Sequence, residues 1–215
     1  MAKFFDEKEA DPEFLKGKTI GVVGYGNQGR AQAINLRRTG HHVIVGNQKD
    51  ASWDMACSDS FEPRPIEAAA DLADIIMMLL PDEIAPAVYS NEIEPKLKKE
   101  NTLVFASGYN ITYRHIVPLP NVDVILLAPR MIGQGVLDLP IRGEGFPVLV
   151  GIHQDASGNA IGYDAGAGAR NWCVPASWSG GRIELCGGDA RRSVFRTYVG
   201  RRDAVHARKR FQSAG

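Results

Sequence analysis

The sequence predicts an α/β fold built on a doubly wound, mostly parallel sheet, and three observations carry that prediction. Short β-branched runs recur along the chain, stretches of helical spacing separate them, and a glycine-rich turn links the first run to the first helical stretch. Helical connections of this length imply right-handed crossovers, because parallel neighbours cannot be joined by a tight hairpin. Residues 18–23, flanked by Gly17 and Gly24, read as a first strand buried on both faces. Residues 28–36 place Ala31, Ile34, Asn35 and Leu36 on a helical face that ends near Thr39-Gly40, where a glycine can take the left-handed position. Residues 42–45 form the second strand, and a polar turn at 46–50 leads into a short helix at Ala51-Ser52-Trp53. Residues 66–73 are helical and 74–80 form the third strand, which Pro81-Asp82-Glu83-Ile84 stops. Helical segments at 84–89 and 93–97 precede a fourth strand at 102–106, a fifth at 122–127 and a sixth at 148–152.

Ligands of such a sheet bind beyond the carboxyl ends of its strands, and three loops there stand out: 24–29, 81–84 and 107–110. The first reads Gly24-Tyr25-Gly26-Asn27-Gln28-Gly29, a G-x-G-x-x-G between strand and helix. Gly24 permits the tight turn, Gly26 has no side chain to block a pyrophosphate, and Gly29 lets helix and strand pack closely. Amides at the helix start then face the anion. On the residues alone an ordinary strand-to-helix turn is the alternative; the order of elements favours a Rossmann-like, dinucleotide-binding arrangement.

Composition narrows the function classes. Lys+Arg and Asp+Glu balance at 25 each, which argues against a global basic field for nucleic acid. No stretch approaches the roughly 18 apolar residues of a membrane span, and the start of the chain lacks a secretory core, so the expectation is a cytoplasmic protein without a membrane partner. Cys57, Cys173 and Cys186 are too widely spaced for zinc and read as free thiols, and His41, His42, His115 and His153 read as solvated or satisfied side chains, so no metal ligand is assigned. After position 161 the pattern dissolves into a stretch rich in Gly, Arg and Ser, with ten Lys or Arg against four Asp or Glu from Gly162 onward. The expected organisation is a dinucleotide-binding domain over 1–160 and, over 161–215, an irregular, loosely held tail of truncated or out-of-frame character. Its arginines lack the aromatic interleaving of a nucleic-acid surface.

Six motifs in order carry a resemblance: Lys16-Gly17-Lys18-Thr19-Ile20 into the glycine turn and Arg30-Ala31-Gln32-Ala33, Leu80-Pro81-Asp82-Glu83, Phe105-Ala106-Ser107-Gly108-Tyr109-Asn110-Ile111, Ala128-Pro129-Arg130, Gly143-Glu144-Gly145-Phe146-Pro147, and His153-Gln154-Asp155-Ala156-Ser157-Gly158. Together they resemble the amino-terminal domain of ketol-acid reductoisomerase, over roughly residues 4–160. The resemblance implies an NADP- or NAD-dependent oxidoreductase of branched-chain amino acid biosynthesis. In it an acetohydroxy acid such as 2-acetolactate undergoes a magnesium-dependent alkyl shift and then reduction to a dihydroxy acid. It implies that Tyr25, Gly26, Asn27 and Gln28 wrap the cofactor diphosphate, that Ser52 lies near the adenosine ribose, that Asp82, Glu83, Ile84 and Ala85 flank the dinucleotide, and that Gly133 approaches the nicotinamide end. It also implies a homo-oligomer assembled through a second, helical domain that holds the magnesium ligands, for which residues after 160 show no counterpart.

Two positions depart from the family pattern. Ser107 stands where the family has His and cannot titrate near neutral pH; Arg130 stands where it has Lys and keeps its charge without donating a proton. These two are the candidate catalytic positions. In the turn after the second strand, Gln48 replaces the usual Arg, Asp50 precedes Ala51-Ser52, and Lys49 and Ser52 remain able to meet a phosphate. A 2'-phosphate favours Arg and hydroxyl donors and a bare 2'-hydroxyl favours a carboxylate, so the expectation is dual use or a lean toward NAD. A noncatalytic nucleotide-binding module and a metal-independent hydroxy-acid dehydrogenase are the competing readings.

Overall fold

The computed structural model describes residues 15–142, 144, 146 and 148–160, with the backbone of two further strands. The strands are β1 (Ala2–Phe5), β2 (Thr19–Val23), β3 (His42–Gly46), β4 (Ile75–Met78), β5 (Thr102–Phe105), β6 (Asp123–Pro129), β7 (Val148–Gln154) and β8 (Ile183–Cys186). The helices are α1 (Asn27–Arg38), α2 (Ala51–Ser58), α3 (Ile66–Leu72), α4 (Ala85–Val88), α5 (Tyr109–Thr112) and α6 (Gly133–Ile141). All strands join one sheet in the order β1-β8-β7-β6-β5-β4-β2-β3.

From β3 to β6 every pairing is parallel. Strands β4 and β5 are buried at every residue and β2 at all but its first, which is why they read as continuous apolar runs. Successive side chains alternate between two clusters: Ile75, Met77, Val104, Ile125 and Leu127 face one layer, and Ile76, Met78, Leu103, Phe105, Val124 and Leu126 the other. Beyond β3 a single parallel bridge joins Gly46 to Arg64. Pro63 and Pro65 on either side of Arg64 have no N–H to extend it, so this edge strand shrinks to one residue. The chain crosses from one side of β2 to the other between this edge and β4, which makes the gap between β2 and β4 the switch point of a doubly wound sheet.

Helix α1 ends as its sequence suggests. Gly40 takes φ +89°, its N–H reaches the Arg37 carbonyl at 3.1 Å, and the His41 N–H reaches the Leu36 carbonyl at 3.1 Å, the two bonds of a Schellman closure. After α4 the helix widens into a π-helical turn, Tyr89–Ile93, and tightens into a 3₁₀ turn, Glu94–Lys96, before β5.

Three features differ from the sequence expectation. The sixth predicted strand, β7, runs antiparallel to β6, with Val148 opposite Pro129, because the connection through α6 begins and finishes at the same end of the strands. Helices α5 and α6 and the strand β1 lie outside the sequence expectation; α5 has only four residues, and α6 contains Gly133, Gly135 and Pro140. Within the tail expected to be irregular, Ile183–Cys186 form β8, parallel to β7 and antiparallel to β1, consistent with the alternation Ile-Glu-Leu-Cys. The rest of the tail expectation, and Cys173 with it, lies outside the described residues. Cys57 is a free, exposed thiol, and no helix among the described residues is long and apolar enough to cross a membrane.

Candidate functional site

Because β2, β4, β5 and β6 are parallel neighbours, the loops that follow them line one edge of the sheet. That edge gathers the residues singled out from the sequence: the 24–29 turn after β2, Asp82 to Ala85 after β4, Ser107 after β5, and Arg130 with Gly133 after β6. Gln48, Asp50 and Ser52 follow β3 at the same end of the sheet.

The glycines of the turn divide into two kinds by what surrounds them. Gly24 sits at φ +93°, where a Cβ would also lie 2.9 Å from the Leu79 carbonyl oxygen. At Gly29 a Cβ would come within 1.8 Å of the Gly24 carbonyl oxygen, so only glycine lets α1 start this close to β2. Gly26 is the opposite case: a Cβ there meets nothing within 4 Å. Gly26 is also the N-cap of α1, and no side chain caps that end. The N-terminus of a twelve-residue helix therefore meets open space over a residue without a side chain, which is what a diphosphate requires.

Tyr25 is 1% exposed and donates its hydroxyl to Asp59 Oδ2 at 3.0 Å, so only its backbone faces the turn. Burial, followed by the bond to Asp59, pushes the phenol well above its ordinary range. Gln28 is turned inward, donating from Nε2 to the Met131 carbonyl at 2.9 Å, while Asn27 is exposed. Gly133 lies against this start of α1: a Cβ on it would fall 2.2 Å from the Asn27 carbonyl oxygen. Asn35, buried on α1, donates to the Val136 carbonyl at 2.7 Å and fixes α6 alongside.

The turn after β3 is organised by Asn47, a buried residue that sequence reasoning passed over. Its Oδ1 accepts from the Tyr25 N–H at 3.4 Å, and its Nδ2 donates to the Gln48 carbonyl at 3.1 Å and to Asp50 Oδ1 at 2.9 Å. Asp50 caps α2, with Oδ1 accepting from the Ser52 and Trp53 amides at 2.8 and 3.2 Å. Gln48 and Lys49 are exposed, and the Lys49 ammonium lies 5.8 Å from the centre of the Trp53 ring. An asparagine between two motifs carries no pattern of its own, which is why only the geometry reveals it.

Across the switch point, Ser107 Oγ donates to Asp82 Oδ2 at 3.2 Å and accepts from the Tyr109 N–H at 3.3 Å. Asn110, 3% exposed, donates to the Asp82 carbonyl at 3.0 Å, so the loops after β4 and β5 are tied together. Glu83 and Ile84 are exposed and Ala85 is buried, leaving Ala85 only its backbone to offer a ligand. Arg130 is exposed at the end of β6. Among the described residues no group of three or more His, Cys, Asp or Glu is placed to hold a metal ion.

Residues 14–171 match the family described as acetohydroxy acid isomeroreductase, NADPH-binding domain. A putative ketol-acid reductoisomerase 3 of Saccharolobus solfataricus is 50% identical over 157 residues, covering 72% of this chain and 47% of that protein. A ketol-acid reductoisomerase (NADP(+)) of Pyrobaculum islandicum is 49% identical over 164 residues, covering 76% and 50%. The chain thus spans about half the length of these curated relatives. The solved structure of an NADH-preferring ketol-acid reductoisomerase from an uncultured archean superposes with a TM-score of 0.76 at 38% identity, over 80% of this chain and 55% of that one. A semialdehyde dehydrogenase NAD-binding protein from Cupriavidus necator, at 18% identity and TM-score 0.57 over 70% of this chain and 60% of its own, shares the fold. Glycine turn, switch point, sheet order and these likenesses agree: the chain belongs to the acetohydroxy acid isomeroreductase family, through the domain that family's description calls NADPH-binding.

Proposed function

We propose that this chain binds a nicotinamide dinucleotide, with its diphosphate over Gly26 at the start of α1, and serves as the nucleotide half of a ketol-acid reductoisomerase. The open space over Gly26 at a helix end without a side-chain cap is the observation that carries this reading. The amides of the first turn hold the diphosphate, and the turn after β3 meets the adenosine ribose through Asp50, Ser52 and Lys49. Asp82 to Ala85 and Gly133 line the path toward the loops after β5 and β6. A bound nicotinamide supplies hydride to an electrophilic carbon. Arg130 holds the substrate carboxylate by charge, and Ser107, already bonded to Asp82, orients without titrating.

Asp50 retains a second carboxylate oxygen that can meet a 2'-hydroxyl, while Lys49 and Ser52 can meet a 2'-phosphate, which supports use of both NAD and NADP with a lean toward NAD. The whole reaction, 2-acetolactate to a dihydroxy acid, belongs to an assembly that brings magnesium ligands to this edge of the sheet, such as a homo-oligomer. A noncatalytic binding module is the second reading, favoured by Ser107 and Arg130 at the catalytic positions.

Calorimetric titration with NADPH and NADH tests the binding. Saturable binding of both, within about tenfold of each other, is expected; no binding of either would overturn the proposal. Reduction of 3-hydroxy-3-methyl-2-oxobutanoate, the already rearranged intermediate, separates the readings: turnover of it without turnover of 2-acetolactate marks a chain that keeps the hydride step, and turnover of neither marks the binding module.

A further inference from the structure

Asp59, the C-cap of α2, belongs to no motif, yet its carboxylate meets both ends of the glycine turn. Oδ2 accepts from the Tyr25 hydroxyl at 3.0 Å and from Arg30 Nε at 2.6 Å, and Oδ1 accepts from Arg30 Nη2 at 3.0 Å. Tyr25 immediately precedes, and Arg30 immediately follows, the four residues 26–29 that open α1. The Arg30 N–H closes the same loop onto the Gly26 carbonyl at 2.9 Å.

The backbone that carries this carboxylate is itself held. Arg37 donates to the Asp59 carbonyl at 2.7 Å and to the Ser60 carbonyl at 2.9 Å, and its guanidinium sits 3.8 Å from the centre of the Phe61 ring. Phe61 in turn meets the Tyr25 ring edge-on at 5.7 Å. An anion at a helix C-terminus opposes the helix dipole, and the two arginines offset that cost. The fork geometry of Arg30 on one carboxylate fixes direction as well as distance.

We propose that Asp59 is a positioning residue for the diphosphate-binding turn: by gripping Tyr25 on one side and Arg30 on the other, it sets where the amides of residues 26–29 point. This rests on the nucleotide reading above, and it extends the cofactor site to a side chain on the far end of α2. The rival is a plain structural tie between α2 and α1 that leaves the turn unaffected.

The test uses the full chain with Asp59→Asn and Tyr25→Phe, the second removing a single hydroxyl in case the first fails to fold. Two quantities are read: amide hydrogen exchange without ligand at Gly24, Tyr25 and Arg30, whose N–H groups are hydrogen-bonded on either side of the turn, and dissociation constants for NADPH and for adenosine 2'-monophosphate, which has no diphosphate. The expected result is about tenfold faster exchange at the turn and about tenfold weaker NADPH binding, with the monophosphate unchanged. Unchanged exchange in both variants, or an equal loss for both ligands, would overturn the proposal. If the parent chain bound neither ligand, the nucleotide reading would fall, and the exchange data alone would decide whether Asp59 orders the turn.

Discussion

At the residue scale, the site rests on which positions exclude a side chain for packing and which exclude it for a ligand. Gly29 is of the first kind, since a Cβ would lie 1.8 Å from the Gly24 carbonyl oxygen. Gly29→Ala is therefore expected to cost about 3 kcal/mol of stability and to lower the melting temperature by roughly 6–12 °C in a chain of this size, as thermal unfolding would read. Asp59 gives a pH signature. The hydrogen bonds from Arg30, then burial working against them, then the Tyr25 bond, leave its carboxyl below the usual carboxylate range. A depressed carboxyl contributes stability that is fully present above its unfolded value near about pH 4 and lost as the pH falls through the folded one. Urea unfolding should thus separate the parent from Asp59→Asn at neutral pH, with the gap narrowing as the pH falls below about 4; a gap that stayed constant would mean the charge contributes nothing.

At the scale of elements, α2 joins two functions: its N-cap Asp50 faces the turn after β3, and its C-cap Asp59 grips the turn after β2. Asp50→Ala removes the cap and should cost about 1 kcal/mol, with a melting shift of roughly 2–4 °C. If its free oxygen meets the ribose, NADH affinity falls more than NADPH affinity, which paired titrations would measure; an equal fall would assign Asp50 to capping alone. Which elements were legible follows from local physics. Strands β2, β4, β5 and β6 announce themselves because both faces are buried and, past the first residue of β2, β5 and β6, no side chain is polar. Helix α1 is bracketed by its glycine turn and by Gly40. Helix α6 was hidden, because two glycines and a proline give it poor intrinsic propensity and it exists through packing on α1, as the bond from Asn35 to the Val136 carbonyl marks. The antiparallel course of β7 and the pairing of β8 are long-range outcomes that no local spacing encodes.

At the scale of the whole molecule, the sheet order places four loops in register along one edge, and the candidate site is the consequence of that order. Residues bearing a motif, such as Gly24, Gly26 and Gly29, were readable because a turn of fixed spelling has a fixed geometry. Asn47 and Asp59 were not, since their bonds to the glycine turn and the start of α1 span 22 to 34 positions of the chain. The central claim is that the space over Gly26 receives the cofactor diphosphate, and one comparison tests it most directly: calorimetric titration of NADPH into the parent chain and into Gly26→Ala. Gly26 has φ −81° and open surroundings, so alanine fits the fold, costing about 1 kcal/mol of helix capping. The account predicts saturable binding to the parent and binding at least about tenfold weaker to the variant, with the melting temperature lowered by only roughly 2–4 °C. Equal affinity in the two chains would contradict it.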